Sequence, residues 1–168
     1  MKDGDILLIG AGGMALAAWF VARGGKMPFD LDLTGAGQVS QQVDIVARTI
    51  WGEARGEGAT GMQAVANVII NRANNPGWWG RNIIDVCLAP KQFSAWNRDD
   101  PNYAKVQSVT AENPSFKTAL DIAARAVAGT LPDITGGATS YHTTAINPYW
   151  ADDGKLLTVI GAHKFYAI

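Results

Sequence analysis

The chain has 168 residues, is 48% hydrophobic, and balances 14 basic against 15 acidic residues for a formal net charge of -1. That length and apolar content suit one globular domain with a sizeable core plus a short extension. A near-neutral chain without a long basic run lacks the electrostatic footprint of a nucleic-acid binder, which argues against a polynucleotide substrate.

The first feature is an uncharged apolar run, Ile6 to Ala22, at the short limit for crossing a bilayer. Three readings of it stay open. As a membrane anchor or export signal it is helped by small residues such as Gly10, Gly12 and Ala15, which allow close helix contacts. Against a conventional signal peptide, Asp3 and Asp5 offset Lys2, and the clearer positive charges, Arg23 and Lys26, follow the run. The positive-inside preference would put that side, and with it the domain that follows, in the cytoplasm. As a nucleotide site, Gly10-Ala-Gly-Gly-Met-Ala15 fits G-x-G-x-x-A. The confirming second strand with an acidic end is missing, because Met27 to Gln38 is punctuated by Pro and Gly and reads as a linker. As a protein contact, the run is a helix buried in a neighbour, for example a virion protein. The domain division is therefore 1–26 for the apolar segment, 27–39 for the linker and 40–168 for the main folded domain.

Ser40 is expected to cap a helix that runs to Gly56 or Gly58, with Val43, Val46, Ala47, Ile50 and Ala54 forming its apolar stripe. Glu53 falls at the edge of that stripe, where partial desolvation would raise its pKa toward that of a general acid. A carboxylate that merely skirts the core is the competing reading. Thr60-Gly-Met-Gln63 matches a capping box for a second helix whose apolar face is Met62, Val65, Ala66, Ile69 and Ile70, stopped by Asn74-Asn-Pro-Gly77. A short helix around Ile83 to Leu88 contains Cys87, the single cysteine, which reads as a core residue. His142 and His163 lack metal-ligand spacing with it, so no metal or other cofactor is expected. Trp78, Trp79, Phe93 and Trp96 gather aromatics in loop-like segments. Their faces suit pyranose stacking, and at least half of them are expected to plug the core.

Asn97 to Asn102 reads as a loop, and Asn113-Pro114 as the start of a helix that runs to Ala128 and buries Phe116, Ala119, Leu120, Ala123 and Val127. Beyond Pro132, Gly136 to Thr144 and Leu156 to Tyr166 are rich in β-branched and aromatic residues. They predict two or three antiparallel strands and an α+β fold, a helical body with a small C-terminal sheet behind an N-terminal apolar helix.

Several of these stretches together resemble a known family. Arg48-Thr-Ile-Trp-Gly-Glu-Ala-Arg-Gly-Glu57 and Gly61-Met-Gln-Ala-Val-Ala-Asn-Val-Ile-Ile-Asn-Arg72 come first, then Pro90-Lys-Gln-Phe-Ser-Ala-Trp96, Gly136-Gly-Ala-Thr-Ser-Tyr-His142 and Ile160-Gly-Ala-His-Lys-Phe165. In this order they are similar to the SleB/CwlJ-type cell-wall hydrolases, over roughly Val43 to the C-terminus. The resemblance implies a lysozyme-like body, peptidoglycan glycan strands as the partner, and action in the periplasm or cell wall, in a bacterial or a phage (virion or endolysin) protein. It puts Glu53 and Tyr141 in catalysis and Glu57, Gln92, Phe93, Trp96 and His142 in substrate contact, with either Tyr141 or His142 facing Glu53. His142 stands where a further aromatic is expected.

Glycoside hydrolysis usually takes two carboxylates, and the motifs supply only Glu53. Glu57 lies beyond Gly56, and Asp152 and Asp153 are distant. That shortage, with the resemblance, favours a lytic transglycosylase that cleaves the MurNAc–GlcNAc β-1,4 bond and closes a 1,6-anhydro ring. A hydrolytic muramidase or glucosaminidase, and a non-catalytic wall-binding or virion structural protein, are the alternatives.

Overall fold

In a computed structural model, the structure describes residues 35–168, side chains from residue 37 onward. The apolar run, its membrane or virion contact and most of the linker lie outside the described residues, among which no helix is long and apolar enough to cross a membrane. The described residues belong to one compact unit.

The helix carrying Glu53, α1, spans Gly35–Ala54 and starts before Ser40, inside the stretch read as linker. Ser40 is therefore an exposed interior residue and not a cap. Ile45, Val46, Ala47, Thr49, Ile50 and Ala54 are all at most 2% exposed, a wider buried surface than one stripe, because neighbours cover α1 on more than one side. A 3-10 turn, Arg55–Glu57, leads into α2, Gly58–Asn74. The capping box at Thr60 does not form: α2 already begins at Gly58, and the Gln63 side chain instead donates to Pro132 O at 2.9 Å.

Asn82 caps α3, Ile83–Leu88, by accepting from Asp85 N, and the wholly buried Cys87 on α3 has its thiol pushed up to about 12 by burial. A 3-10 turn, Ser94–Trp96, precedes α4, Tyr103–Ser108, a helix that periodicity did not signal because Val106 is its one buried residue. The Asn113 side chain caps α5, Pro114–Val127, accepting from Ser115 N at 3.0 Å and Phe116 N at 3.1 Å, with Pro at the first position where no N–H is missed. Its buried face is Phe116, Ala119, Ile122, Ala123 and Ala126, so Ile122 and Ala126 occupy the places expected for Leu120 and Val127. α1 packs on α5 and α2, and α2 packs on α5.

Strand β1 is Ser140–Thr143; after a short helix α6, Trp150–Asp153, β2 is Lys155–Ile160 and β3 is His163–Ala167. The sheet is antiparallel in the order β1-β3-β2, so the last strand sits in the middle. Gly161 (φ 56°) turns the β2–β3 hairpin, and a register shift between Leu156 and Thr158 bends β2. Ala64 and Val68 of α2, Ala138 and Phe165 form the core between α2 and the sheet, with Tyr141, Leu157 and Ile160 packed against it. The result is an α+β fold, a mostly helical body and a three-stranded sheet.

Candidate active site

Glu53 is the penultimate residue of α1 and half-buried. Its Oε1 accepts from Ala95 N at 3.0 Å and its Oε2 from the Tyr141 hydroxyl at 3.3 Å. Burial pushes its pKa up, and the Asp100 charge adds to this. The hydrogen bonds from Ala95, Tyr141 and Ser94 N pull it partly back. The carboxyl thus keeps its proton to higher pH than a free glutamate, while donors stand ready for its ionised form. Burial and then the Glu53 charge push the Tyr141 phenol well above its ordinary value, so it remains a donor at working pH.

Alternation along β1 decides which motif residue reaches Glu53. Tyr141 lies on the face that looks to α2, stacked on Phe165 at 5.6 Å and edge-on to His163 at 5.4 Å. His142 takes the other face. It is 5% exposed, stacked on Tyr166 at 5.2 Å and edge-on to Trp150, with Nε2 3.1 Å from the Tyr166 hydroxyl and Nδ1 2.8 Å from Thr143 O. A ring spent on that stack cannot also line the cleft at Glu53, which corrects the expected substrate contact of His142.

The other expected contacts separate in the same way. Phe93 is 1% exposed and belongs to the core, a correction for the same reason of burial. Trp96 is half-buried and donates its indole N–H to Thr49 Oγ1 at 2.9 Å, and Gln92 Oε1 accepts from Arg72 Nη1 at 3.2 Å. Glu57 accepts from Ala162 N at 3.0 Å, and its carboxylate lies where a Cβ on Gly161 would stand. That carboxylate holds the β2–β3 turn. Of the loop aromatics, Trp79 is buried and Trp78 is 71% exposed.

Several contributors had no visible signal in the sequence. The Ala95 donor is a main-chain N–H, to which residue identity gives no clue. Asp100 is brought near Glu53 by the loop after Trp96; the Asn102 N–H, at 2.7 Å, is the first of the contacts that hold its carboxyl below the ordinary range. Arg55 ties that loop to α1 by donating to Asn102 Oδ1 at 2.7 Å, with its guanidinium 4.4 Å from the Trp51 ring centre. Gly52, Glu53, Arg55, Gly56 and Asn102 line an open recess of about 250 Å³. Arg72 did leave a trace, as the charge three residues after Ile69 on a stripe read as apolar.

A half-buried carboxyl whose pKa is raised by burial, at the mouth of a recess, has what a general acid needs. The family model described as Cell Wall Hydrolase matches residues 56–166, beginning just beyond Glu53. The chain belongs to this cell wall hydrolase family, in its SleB/CwlJ type. It is 33% identical over 137 residues to a spore cortex-lytic enzyme of Halalkalibacterium halodurans, covering 77% of this chain but 36% of that protein, so it spans about a third of the relative's length. Among solved structures it is similar to the catalytic domain of the Bacillus cereus SleB protein, with a TM-score of 0.59 and 25% identity over 86% of this chain and 99% of that one. It is also similar to the catalytic domain of the germination-specific lytic transglycosylase SleB from Bacillus anthracis, with a TM-score of 0.60 and 25% identity over 83% of this chain and 100% of that one. These relatives are bacterial; none of the three is described as a phage, endolysin or virion protein.

Proposed function

We propose that the chain degrades peptidoglycan by cleaving the MurNAc–GlcNAc β-1,4 bond as a lytic transglycosylase, with Glu53 as its single acid and base. The observation that carries this reading is the Glu53 carboxyl held between Ala95 N–H and the Tyr141 hydroxyl, with its pKa raised chiefly by burial. Protonated Glu53 gives its proton to the bridging oxygen as the bond to MurNAc C1 breaks and GlcNAc leaves. The resulting carboxylate takes the proton of the MurNAc C6 hydroxyl while that oxygen bonds to C1. The anhydro ring closes, Glu53 ends protonated, and no water is consumed. The scheme calls for no cofactor. Tyr141 and Ala95 stabilise the carboxylate during the interval in which it exists, when donors already in place are worth most. The similarity to a protein described as a lytic transglycosylase supports the same chemistry.

The test is mass spectrometry of muropeptides released from purified peptidoglycan by the full chain and by Glu53→Gln. Anhydro products that disappear with the substitution are expected. Retained turnover in Glu53→Gln would remove the acid from this scheme.

One observation favours a second reading, hydrolysis. Asp100 is a carboxylate whose charge acts on Glu53 while its own contacts keep it ionised, and pairs of carboxyls pushed apart in pKa are the usual hydrolytic arrangement. Reducing-end products that vanish in Asp100→Asn would decide for it.

A further inference from the structure

Arg72 is 6% exposed, and no carboxylate lies within 4.0 Å of it among the described residues, where the ion pair found is Arg48–Asp44. Withdrawing a guanidinium from water without an anion is costly, and an aliphatic side chain would continue the α2 stripe at no such cost. Its contacts are directional. Nε donates to Thr139 O at 2.6 Å and Nη1 to Gln92 Oε1 at 3.2 Å, while the guanidinium lies 5.7 Å from the Trp79 ring centre and 5.5 Å from that of Phe93. Trp79 closes the assembly by donating its indole N–H to Arg72 O at 3.1 Å.

The two acceptors belong to the two segments that supply the donors to Glu53. Thr139 lies two residues before Tyr141, immediately ahead of β1. Gln92 lies three residues before Ala95, ahead of the 3-10 turn. Asn67 and Asn71 of α2 also hold the segment before β1, through Pro132 O, Ile134 N and Ala138 O. Of these three α2 side chains, only Arg72 also reaches the loop that carries Ala95. We propose that Arg72 is the positioning residue of the acid, one side chain that sets the register of both segments and so the hydrogen bonds from Tyr141 and Ala95 to Glu53. This rests on the reading of Glu53 as the acid. The guanidinium's planar fork reaches two acceptors in fixed directions while lying by two rings, which the single ammonium of lysine cannot copy.

The experiment uses the full chain. Arg72→Lys and Gln92→Leu are compared with the unaltered protein by kcat and KM on peptidoglycan across pH, and by following the Glu53 carboxyl titration with carbon-13 NMR. Gln92 is half-buried, so its replacement keeps the test open if Arg72→Lys does not fold. In both variants kcat is expected to fall about 10- to 100-fold with KM little changed. The Glu53 titration, and the high-pH limb of activity with it, should move upward by roughly half a pH unit or more as the two donors loosen. A Glu53 titration left in place in both variants would overturn the proposal, since lost stability alone moves melting but not that value. Retained activity in Glu53→Gln would instead remove the acid reading, and the titration would still report whether Arg72 governs this carboxyl.

Discussion

Among single residues, Gly52 illustrates how tightly Glu53 is set. A Cβ there would stand 2.6 Å from the Ala95 Cβ and 2.8 Å from Val106 Cγ2, so hydrogen is the one side chain that lets the 94–96 turn lie against α1. The same approach puts Ala95 N 3.0 Å from Glu53 Oε1. Gly52→Ala is therefore expected to cost about 1–3 kcal/mol by overpacking. It should also lower kcat on peptidoglycan about 10-fold or more by pushing the donor away. Thermal melts and initial rates measured on one preparation separate the two effects, and an unchanged kcat would show that the Ala95 contact is dispensable.

The elements carry the partners of Glu53 by packing more than by propensity. β1 has four residues and could not hold Tyr141 alone; its position comes from pairing with β3 and from the stack on Phe165, which is 1% exposed in the core under α2. Phe165→Ala should cost about 3–5 kcal/mol of stability and lower activity further by unseating Tyr141. Val159→Thr, at a 53% exposed position on β2 that keeps its β-branch, should stay within about 0.5 kcal/mol. Denaturant midpoints of the two variants check this, and equal costs would mean that the sheet is not held through its α2 face. The bodies of α1, α2, α3 and α5 were legible because the 3.6-residue period and the Asn113-Pro114 cap are local features, whereas α4 left no such signal. The capping box at Thr60 failed because α2 starts a little earlier, where the preceding turn places it.

Over the whole molecule, the titrating carboxyls act on stability in opposite directions. Glu53 has its folded pKa raised, chiefly by burial, so its contribution is complete below the ordinary glutamate range and is lost as pH rises through the folded value. For Asp133, burial acts upward, but hydrogen bonds from Thr135, Gly137 and Asn71 outweigh it and hold the carboxyl low. That contribution is present above the ordinary range and is lost as pH falls. Glu53→Gln, which copies the protonated form, should therefore melt higher than the unaltered chain near pH 7, with the gap closing toward about pH 4. Melting curves across that range test it, and a gap that widens on acidification would reverse the assigned sign. A higher melting temperature with Glu53 neutralised would fit a carboxyl that is not kept for stability.

How much of the site could be read in advance depends on the range of the forces that make it. Glu53 showed itself as a polar residue at the margin of an apolar stripe, and Tyr141 stood out through its motif. Cys87 was identified as core from its apolar setting. Phe93 and His142 were not separable from exposed aromatics, because burial is a property of what packs on a residue and not of the residue itself. The chain alone determined most of the helices, the C-terminal strands and the family, all encoded by side-chain periodicity, local caps and short motifs. Tertiary structure alone decided that the donor opposite Tyr141 is a main-chain N–H, that Asp100 stands in the field of Glu53, that Glu57 holds a hairpin turn, and that Arg72 joins two distant segments. Those relations link positions tens of residues apart, and only the packed chain, with its low-dielectric interior, gives them their geometry and strength.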